Sequence, residues 1–499
     1  MSGNGTPSRT RGFAHGLRDH LEAILIALVM ALVLKQFCVE AFSIPTSSMH
    51  PTLIGENQAP DGVGDRILVD KIANWLGAPR RWEIWVFRFP LDRSRNFIKR
   101  VVGMPGDHLK IGSEDGDIWV APGEGAPFAI VRKPRKVRES LYRAVYPPEE
   151  VPERSKELQF DADPTASEPG RRWFRVEEGD PTAWTLDAVD HFAFRGGSRA
   201  VLRAAHPIHT STHPDSWHRT WQQGSLARDM RLRTRVVPDA ISPLPAGSEV
   251  VLAWVPDGWI EYRLTLSSRP NGSTARVLVD GAVLREVRLE AVLEAGRPVD
   301  LEMEAVDGDL HAWIDGAEVA VVPDGRPFRR SHARVGQELR LEAVGAPVVL
   351  EDVRIDRDIA YQNAWSPLGD AAEDGVILPA GSYLMIGDNQ GDVGDRPEGS
   401  YDGRKWELES ITLRDGSVIR HDEQARPTEH RDPDTGQRWY TVTDDAGLER
   451  RWSAADVDGE ASEGASWVPF VDRDLFVGRA FLVFWPAWPD PPGRFRRVR

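Results

Sequence analysis

Apart from one apolar run near its start, this 499-residue chain is written in short segments where apolar and polar residues alternate, separated by glycine, proline and aspartate. RILVDKI (66–72), EIWVFRF (83–89), NFIKRVVGM (96–104) and HLKIG (108–112) are of this kind. A period of two puts successive side chains on opposite faces of an extended strand, and turn residues between such runs make neighbouring strands antiparallel. No alternation of strands with helical periods is visible, which argues against a parallel sheet. The chain is therefore expected to be mainly β and antiparallel.

Strand signals are densest over 226–360, in EVVLAWV, IEYRLTL, ARVLVDG, VDLEMEAVDG, LHAWIDGAEVAVV, LRLEAV and VVLEDVRI. Several are joined by Asp-Gly, which favours tight hairpins. Such a block predicts an inserted β-sandwich of the jelly-roll or lectin-like kind. The preceding stretch, 123–225, is charged, proline-rich and weakly periodic, and reads as an insertion without clear order. A last β region runs from ILPAGSYLMIGDN (377–389) to FVGRAFLVFWP (476–486), interrupted by a polar insertion at 407–466. The terminal GRFRRVR reads as a solvated tail.

From Ala23 to Leu34 every residue is apolar. Counting Leu21 to Val39, with Lys35 snorkelling to the interface, reaches the roughly 20 residues that a spanning helix needs. Arg9, Arg11 and Arg18 precede it, so residues 1–20 are expected in the cytoplasm, 21–39 in lipid and the rest outside. The rival is a cleaved signal peptide with a poor site at Val39-Glu40-Ala41, and cleavage there would leave the following segment intact. Cys38 is the single cysteine, so no intramolecular disulfide forms; its place in the apolar segment suggests a structural thiol. With 62 basic against 77 acidic residues and no long basic stripe, nucleic acid is not expected as a partner.

Immediately after the apolar run comes SIPTSSMHPTL (43–53), with the hydroxyls of Thr46, Ser47 and Ser48 between Pro45 and Pro51. A serine becomes a nucleophile when a base takes its proton. His50 lies two positions past Ser48 and points elsewhere in an extended segment, and no G-x-S-x-G elbow is present. Lysine can replace histidine if burial lowers its pKa from about 10.4 towards neutrality. Lys99 is suited to this, flanked by Phe97, Ile98, Val101, Val102 and Met104, although alone it would read as a surface lysine on an edge strand. No metal or cofactor is expected. DNQGDVGD (388–395) lacks the glycine position and the glutamate of a calcium loop, and His206, His209, His213 and His218 match no ligand spacing on a helix face.

Four stretches, in order, resemble the motifs of the type I signal peptidase family: IPTSSMHPTL after an apolar helix; GDRILVDKI (64–72) with EIWVFRFP (83–90); NFIKRVVGMPGDHL (96–109); and LPAGSYLMIGDN (378–389) continuing to SYDGRKW (400–406). The resemblance covers about residues 20–122 and 375–406, with a looser echo at 467–486, and leaves out the insertions and the sandwich. It implies a membrane-anchored serine endopeptidase of the bacterial inner membrane that removes signal peptides from exported preproteins. Catalytic segments would be 40–122, 361–406 and 467–499. By resemblance Ser48 is the nucleophile and Lys99 the general base, while the Ser48 backbone N–H and the Thr46 hydroxyl form the oxyanion hole. Arg100, Asp388, Ser400, Asp402 and Arg404 are supporting residues. QGDVGDRPEG intervenes before Ser400, which leaves Asp395-Arg396 as a rival bracing pair. Two other readings stay open: a different Ser-Lys peptidase, such as a self-cleaving repressor type, and a non-catalytic surface protein whose sandwich binds a glycan or protein ligand.

Overall fold

A computed structural model describes the chain except residues 1–8, 57–61, 91, 113–115, 148–172, 187–189, 205–207, 209–226, 239–243, 257, 259, 271, 290–295, 324–336, 362–373, 390–404, 423–426, 434, 445–447, 468–469, 486–495 and 499. It is mostly antiparallel β with few helices and divides into two compact units. One comprises Met1–Gly106, Leu378–Gly387 and Gly399–Arg499, and the other Asp107–Ile377 and Asp388–Glu398.

The first unit is built on an eight-stranded sheet. Its strands run in the order Val39–Ser43, Arg66–Asp70, Phe476–Trp485, Ile84–Phe89, Asp92–Gly103, Ser382–Ile386 and Phe470–Asp472, with Arg496–Arg497 paired to Phe476–Trp485. Alternation decides what each strand buries. Along Ile84–Phe89, Trp85, Phe87 and Phe89 pack with Val101, Met385, Val471 and Phe476, while Ile84 and Val86 pack with Ile44, Met49, Leu53, Ile67, Val69, Ala480 and Val483. Both faces are covered, which is why IWVF reads as a continuous apolar run. Each such side chain taken out of water contributes roughly 1.5–3 kcal/mol. The aromatic contacts are close: Phe89 and Phe97 rings lie 4.9 Å apart, and Trp85 meets Phe476 edge-on at 5.6 Å.

The structure alters or adds to the sequence expectations at three places. The N-terminal helix spans Arg9–Phe37, and its apolar side chains from Ile24 to Phe37 are exposed. Among the described residues no helix is long and apolar enough to cross a membrane. Val39, expected inside the anchor, instead opens a strand opposite Asp70, and Cys38, expected in lipid, closes the helix and accepts the Lys71 N–H at 2.9 Å. The polar stretch 407–466 holds two three-stranded sheets around a small core of Ile411, Ile419, Val442 and Trp452. The basic tail is not simply solvated. Arg496 and Arg497 lie opposite Val483 and Leu482, and the Val498 N–H reaches the Phe481 carbonyl at 3.0 Å.

The second unit has an eight-stranded and a seven-stranded antiparallel sheet whose side chains share one buried cluster. Asp280-Gly281, Asp307-Gly308 and Asp315-Gly316 all have positive φ at both residues, the geometry of the tight hairpins that these pairs predict. Strands at Arg143–Tyr146, Phe174–Glu178, Trp184–Thr185, Phe192–Phe194 and Gly197–Ala204 join these sheets, so ordered β structure begins well before the expected boundary at 226. Aromatic residues recruit them. Tyr146, Phe174 and Phe192 pack edge to face at 5.3 and 5.1 Å, and Trp184 lies 5.2 Å from Phe194.

This unit also holds a cluster of charged side chains. Lys133 is ion-paired with Asp307 and lies 3.1 Å from Asp358, while Asp117, Asp229 and Asp307 offer oxygens within 4.8 Å of one another. Burial alone would lower Lys133, but Asp307, Asp358, Asp117 and Asp229 outweigh it and hold the amine well above its usual range. Burial, then the Asp307 charge, pushes Asp229 up to about 7, and burial also raises Asp358. A carboxyl raised on folding binds more protons in the native state, so its stabilising share is complete below its ordinary value of 3.8 and is lost as pH rises through about 7. We expect Asp229→Asn to leave thermal stability near wild type at pH 3.5 and to exceed it progressively by pH 8. Calorimetry of the full chain across that range checks this, and a pH-independent difference would contradict it.

Candidate active site

The segment expected to carry the chemistry is held by its apolar residues. Ile44, Met49 and Leu53 are buried in the core beside the first strands of the main sheet, which pins the loop at both ends and its middle. Ser47–Met49 form a single tight turn after an extended Thr46, with the His50 N–H on the Ser47 carbonyl at 2.9 Å. The loop is closed at its base by Asp65, whose carbonyl accepts the Ile44 N–H at 2.9 Å and whose N–H reaches the Ile54 carbonyl at 2.8 Å.

Lys99 projects from the strand Asp92–Gly103, which lies between Ile84–Phe89 and Ser382–Ile386. It is only 1% exposed, a rare condition for lysine. Its Nζ donates to the Ser48 Oγ at 2.5 Å, a buried contact across 51 residues of sequence. The Thr46 hydroxyl lies 3.4 Å from the same oxygen. The structure thus brings Ser48, Lys99 and Thr46 together.

Gly387 makes that approach sterically feasible. A Cβ at this position would lie 2.4 Å from the Ser48 carbonyl oxygen and 3.5 Å from the Lys99 Cδ. The G of the GDN stretch is therefore a space requirement, a role that sequence reading had left unassigned. Arg100 is fully buried but serves the scaffold: it donates to the Trp82 carbonyl at 2.7 Å and to the Thr52 hydroxyl at 3.2 Å. The first of these bonds supports Trp82 in a left-handed conformation, φ 73°, that a bulky residue adopts only under external restraint. Asp388 is buried and is grouped with the second unit. Ser400, Asp402, Arg404, the rival pair Asp395 and Arg396, and the histidines at 206, 209, 213 and 218 lie outside the described residues.

Residues 17–162 match the family described as signal peptidase, peptidase S26. Signal peptidase I of Pseudomonas fluorescens and that of Pseudomonas aeruginosa are each 41% identical over 110 residues, covering 20% of this chain and 36% of theirs. A probable signal peptidase I-2 of Synechocystis is 35% identical over 105 residues, covering 20% of this chain and 43% of its own. The chain thus spans little more than a third of the length of the first two relatives. Among solved structures, a carbohydrate binding module from Bacillus subtilis (12% identity, 37% of this chain and 94% of that one, TM-score 0.25) and sheep galectin-11 (14%, 26% and 91%, TM-score 0.19) are similar at scores that support no inference.

Gly387→Ala is expected to fold, because the rest of the main sheet is untouched, yet to displace the Ser48 turn. A crystal structure of the variant should show the Lys99 Nζ to Ser48 Oγ distance opened from 2.5 Å to beyond hydrogen-bond range. An unchanged distance would remove the steric argument.

Proposed function

We propose, on the premise that residues 17–162 belong to the signal peptidase, peptidase S26, family, that this chain is a membrane-anchored serine endopeptidase removing N-terminal signal peptides from exported preproteins. The observation that carries this reading is the 2.5 Å contact between the buried Lys99 amine and the Ser48 hydroxyl. The mechanism needs Lys99 neutral. Its burial takes away the water that would stabilise an ammonium.

In the first step neutral Lys99 takes the Ser48 proton while Oγ attacks the carbonyl of the last residue of the signal peptide. The tetrahedral intermediate collapses, the C–N bond breaks, and the Lys99 ammonium returns the proton to the leaving amine. In the second step Lys99 deprotonates a water that attacks the ester, releasing the signal peptide and regenerating Ser48. The Ser48 N–H and the Thr46 hydroxyl are the donors for the oxyanion, and one such donor is typically worth about 3–4 kcal/mol in the transition state.

In this reading the peptidase domain is assembled from 40–122, 361–406 and 467–499, with Arg100, Asp388, Ser400, Asp402 and Arg404 in supporting roles. The two-sheet unit is an inserted β-sandwich of the jelly-roll or lectin-like kind, since side chains of both sheets share one core. Support for the anchor comes from the N-terminal helix, on which every residue from Glu22 to Phe37 is exposed although most are apolar. A helix apolar all round needs lipid or protein around it. The arginines at positions 9, 11 and 18 favour a reading with that end in the cytoplasm and Ser48 outside the bacterial inner membrane.

Purified protein in detergent should cleave a preprotein that carries an Ala-x-Ala site. Ser48→Ala should abolish cleavage and Lys99→Ala should reduce it by about 10²–10⁴-fold. Cleavage that persists in Ser48→Ala would sink the assignment. Thr46→Val should lower kcat by about 10²-fold with little change in KM, while Thr46→Ser retains activity.

A further inference from the structure

The C-terminal arginines had no role in the sequence reading, yet one of them reaches the loop that carries Ser48. Arg496 lies on the short strand paired with Phe476–Trp485, opposite Val483. Its Nη2 donates to the Thr52 carbonyl at 2.8 Å and to the Asp65 carboxylate at 3.1 Å. Asp65 is fully buried, and the same Oδ2 accepts the Ile54 N–H at 3.0 Å. Val498, two residues further on, packs against the core that contains Met49 and Leu53.

These contacts converge on one short stretch. Asp65 holds Ile44 and Ile54, the two ends of the loop, through its backbone. Gly64 beside it leaves no room for a side chain, since a Cβ there would lie 2.3 Å from the Ile44 carbonyl oxygen. Thr52 is held twice: its carbonyl takes Arg496 and its hydroxyl takes Arg100, the neighbour of Lys99 in sequence. The loop is thereby tied on one side to the lysine strand and on the other to the end of the chain.

We infer that Arg496 is a positioning residue for Ser48: through the Thr52 carbonyl and the Asp65 carboxylate it fixes the distal end of the nucleophile loop and so sets the Ser48 to Lys99 distance. The Arg496 side chain is 33% exposed while that of Asp65 is 0% exposed, so the pair is sheltered on its functional side and accessible to substitution. Loss of the guanidinium removes its bonds to the Asp65 carboxylate and to the Thr52 carbonyl. The inference rests on the Ser48 and Lys99 assignment above.

The test uses the full chain in detergent with Arg496→Gln, Arg496→Lys and, as a control, Arg497→Ala, whose side chain is exposed. Cleavage kinetics on an Ala-x-Ala peptide are measured beside amide hydrogen exchange over residues 50–56 and the melting temperature. Displacing a reacting group by about 1 Å costs on the order of 10²-fold, so kcat of Arg496→Gln should fall roughly 10- to 100-fold with KM within about twofold. Exchange should accelerate in 50–56 while the melting temperature holds; Arg496→Lys should recover part of kcat, and Arg497→Ala should match wild type. Unchanged kcat, unchanged exchange in 50–56, or losses of kcat and melting temperature in proportion would each overturn the positioning role. A wild-type protein that cleaves nothing overturns the Ser48 assignment and the positioning role with it, while the exchange data then report separately whether Arg496 holds the loop.

Discussion

A lysine amine taken out of water beside a serine hydroxyl is the contact around which the first unit is organised. Lys99 is one of the largest fully buried side chains in the chain, and burying it is costly unless its nitrogen finds a partner. Ser48 supplies one at 2.5 Å. For that contact to form, the lysine strand must sit inside the sheet, the serine loop must be pinned by apolar residues, and the backbone at 387 must carry no side chain. The main sheet meets all of these demands with strands drawn from three separated parts of the sequence.

The same topology explains how so much extra chain is accommodated. Asp92–Gly103 and Ser382–Ile386 are antiparallel neighbours, and Asp107–Ile377, the main part of the two-sheet unit, lies between them in sequence. The Gly106 N–H on the Leu378 carbonyl, 3.1 Å, draws the two ends of this excursion together. A second excursion, holding the two small sheets of 405–467, falls between Ser382–Ile386 and Phe470–Asp472, which are again direct partners. Insertions at hairpin positions leave the strand pairing around Lys99 intact, and the entropic cost of closing a longer loop grows only slowly with its length.

Much of this was legible from local chemistry. Alternating runs became strands, and the Asp-Gly pairs between them became tight turns because both residues tolerate positive φ. Ser48 and Lys99 stood out through the ordered motifs in which they lie, since Lys99 alone reads as a surface lysine on an edge strand. What escaped was set by distant partners. The strands between 143 and 204 have little periodicity of their own and are held by aromatic packing onto a core that forms elsewhere. The helix stops at Phe37 because Val39 finds a partner strand at Arg66–Asp70, and Arg496 looks like a solvated charge until Asp65 and Thr52 stand beside it.

By itself the sequence determined the β character, the hairpins and the residue types able to act as nucleophile and base, since these follow from side-chain period, turn chemistry and charge. The tertiary structure decided which hydroxyl meets the lysine, why residue 387 must be glycine, and that the last residues of the chain brace the loop near its start. Those are questions of distance between segments far apart in sequence, and only the pairing of strands in the sheet answers them.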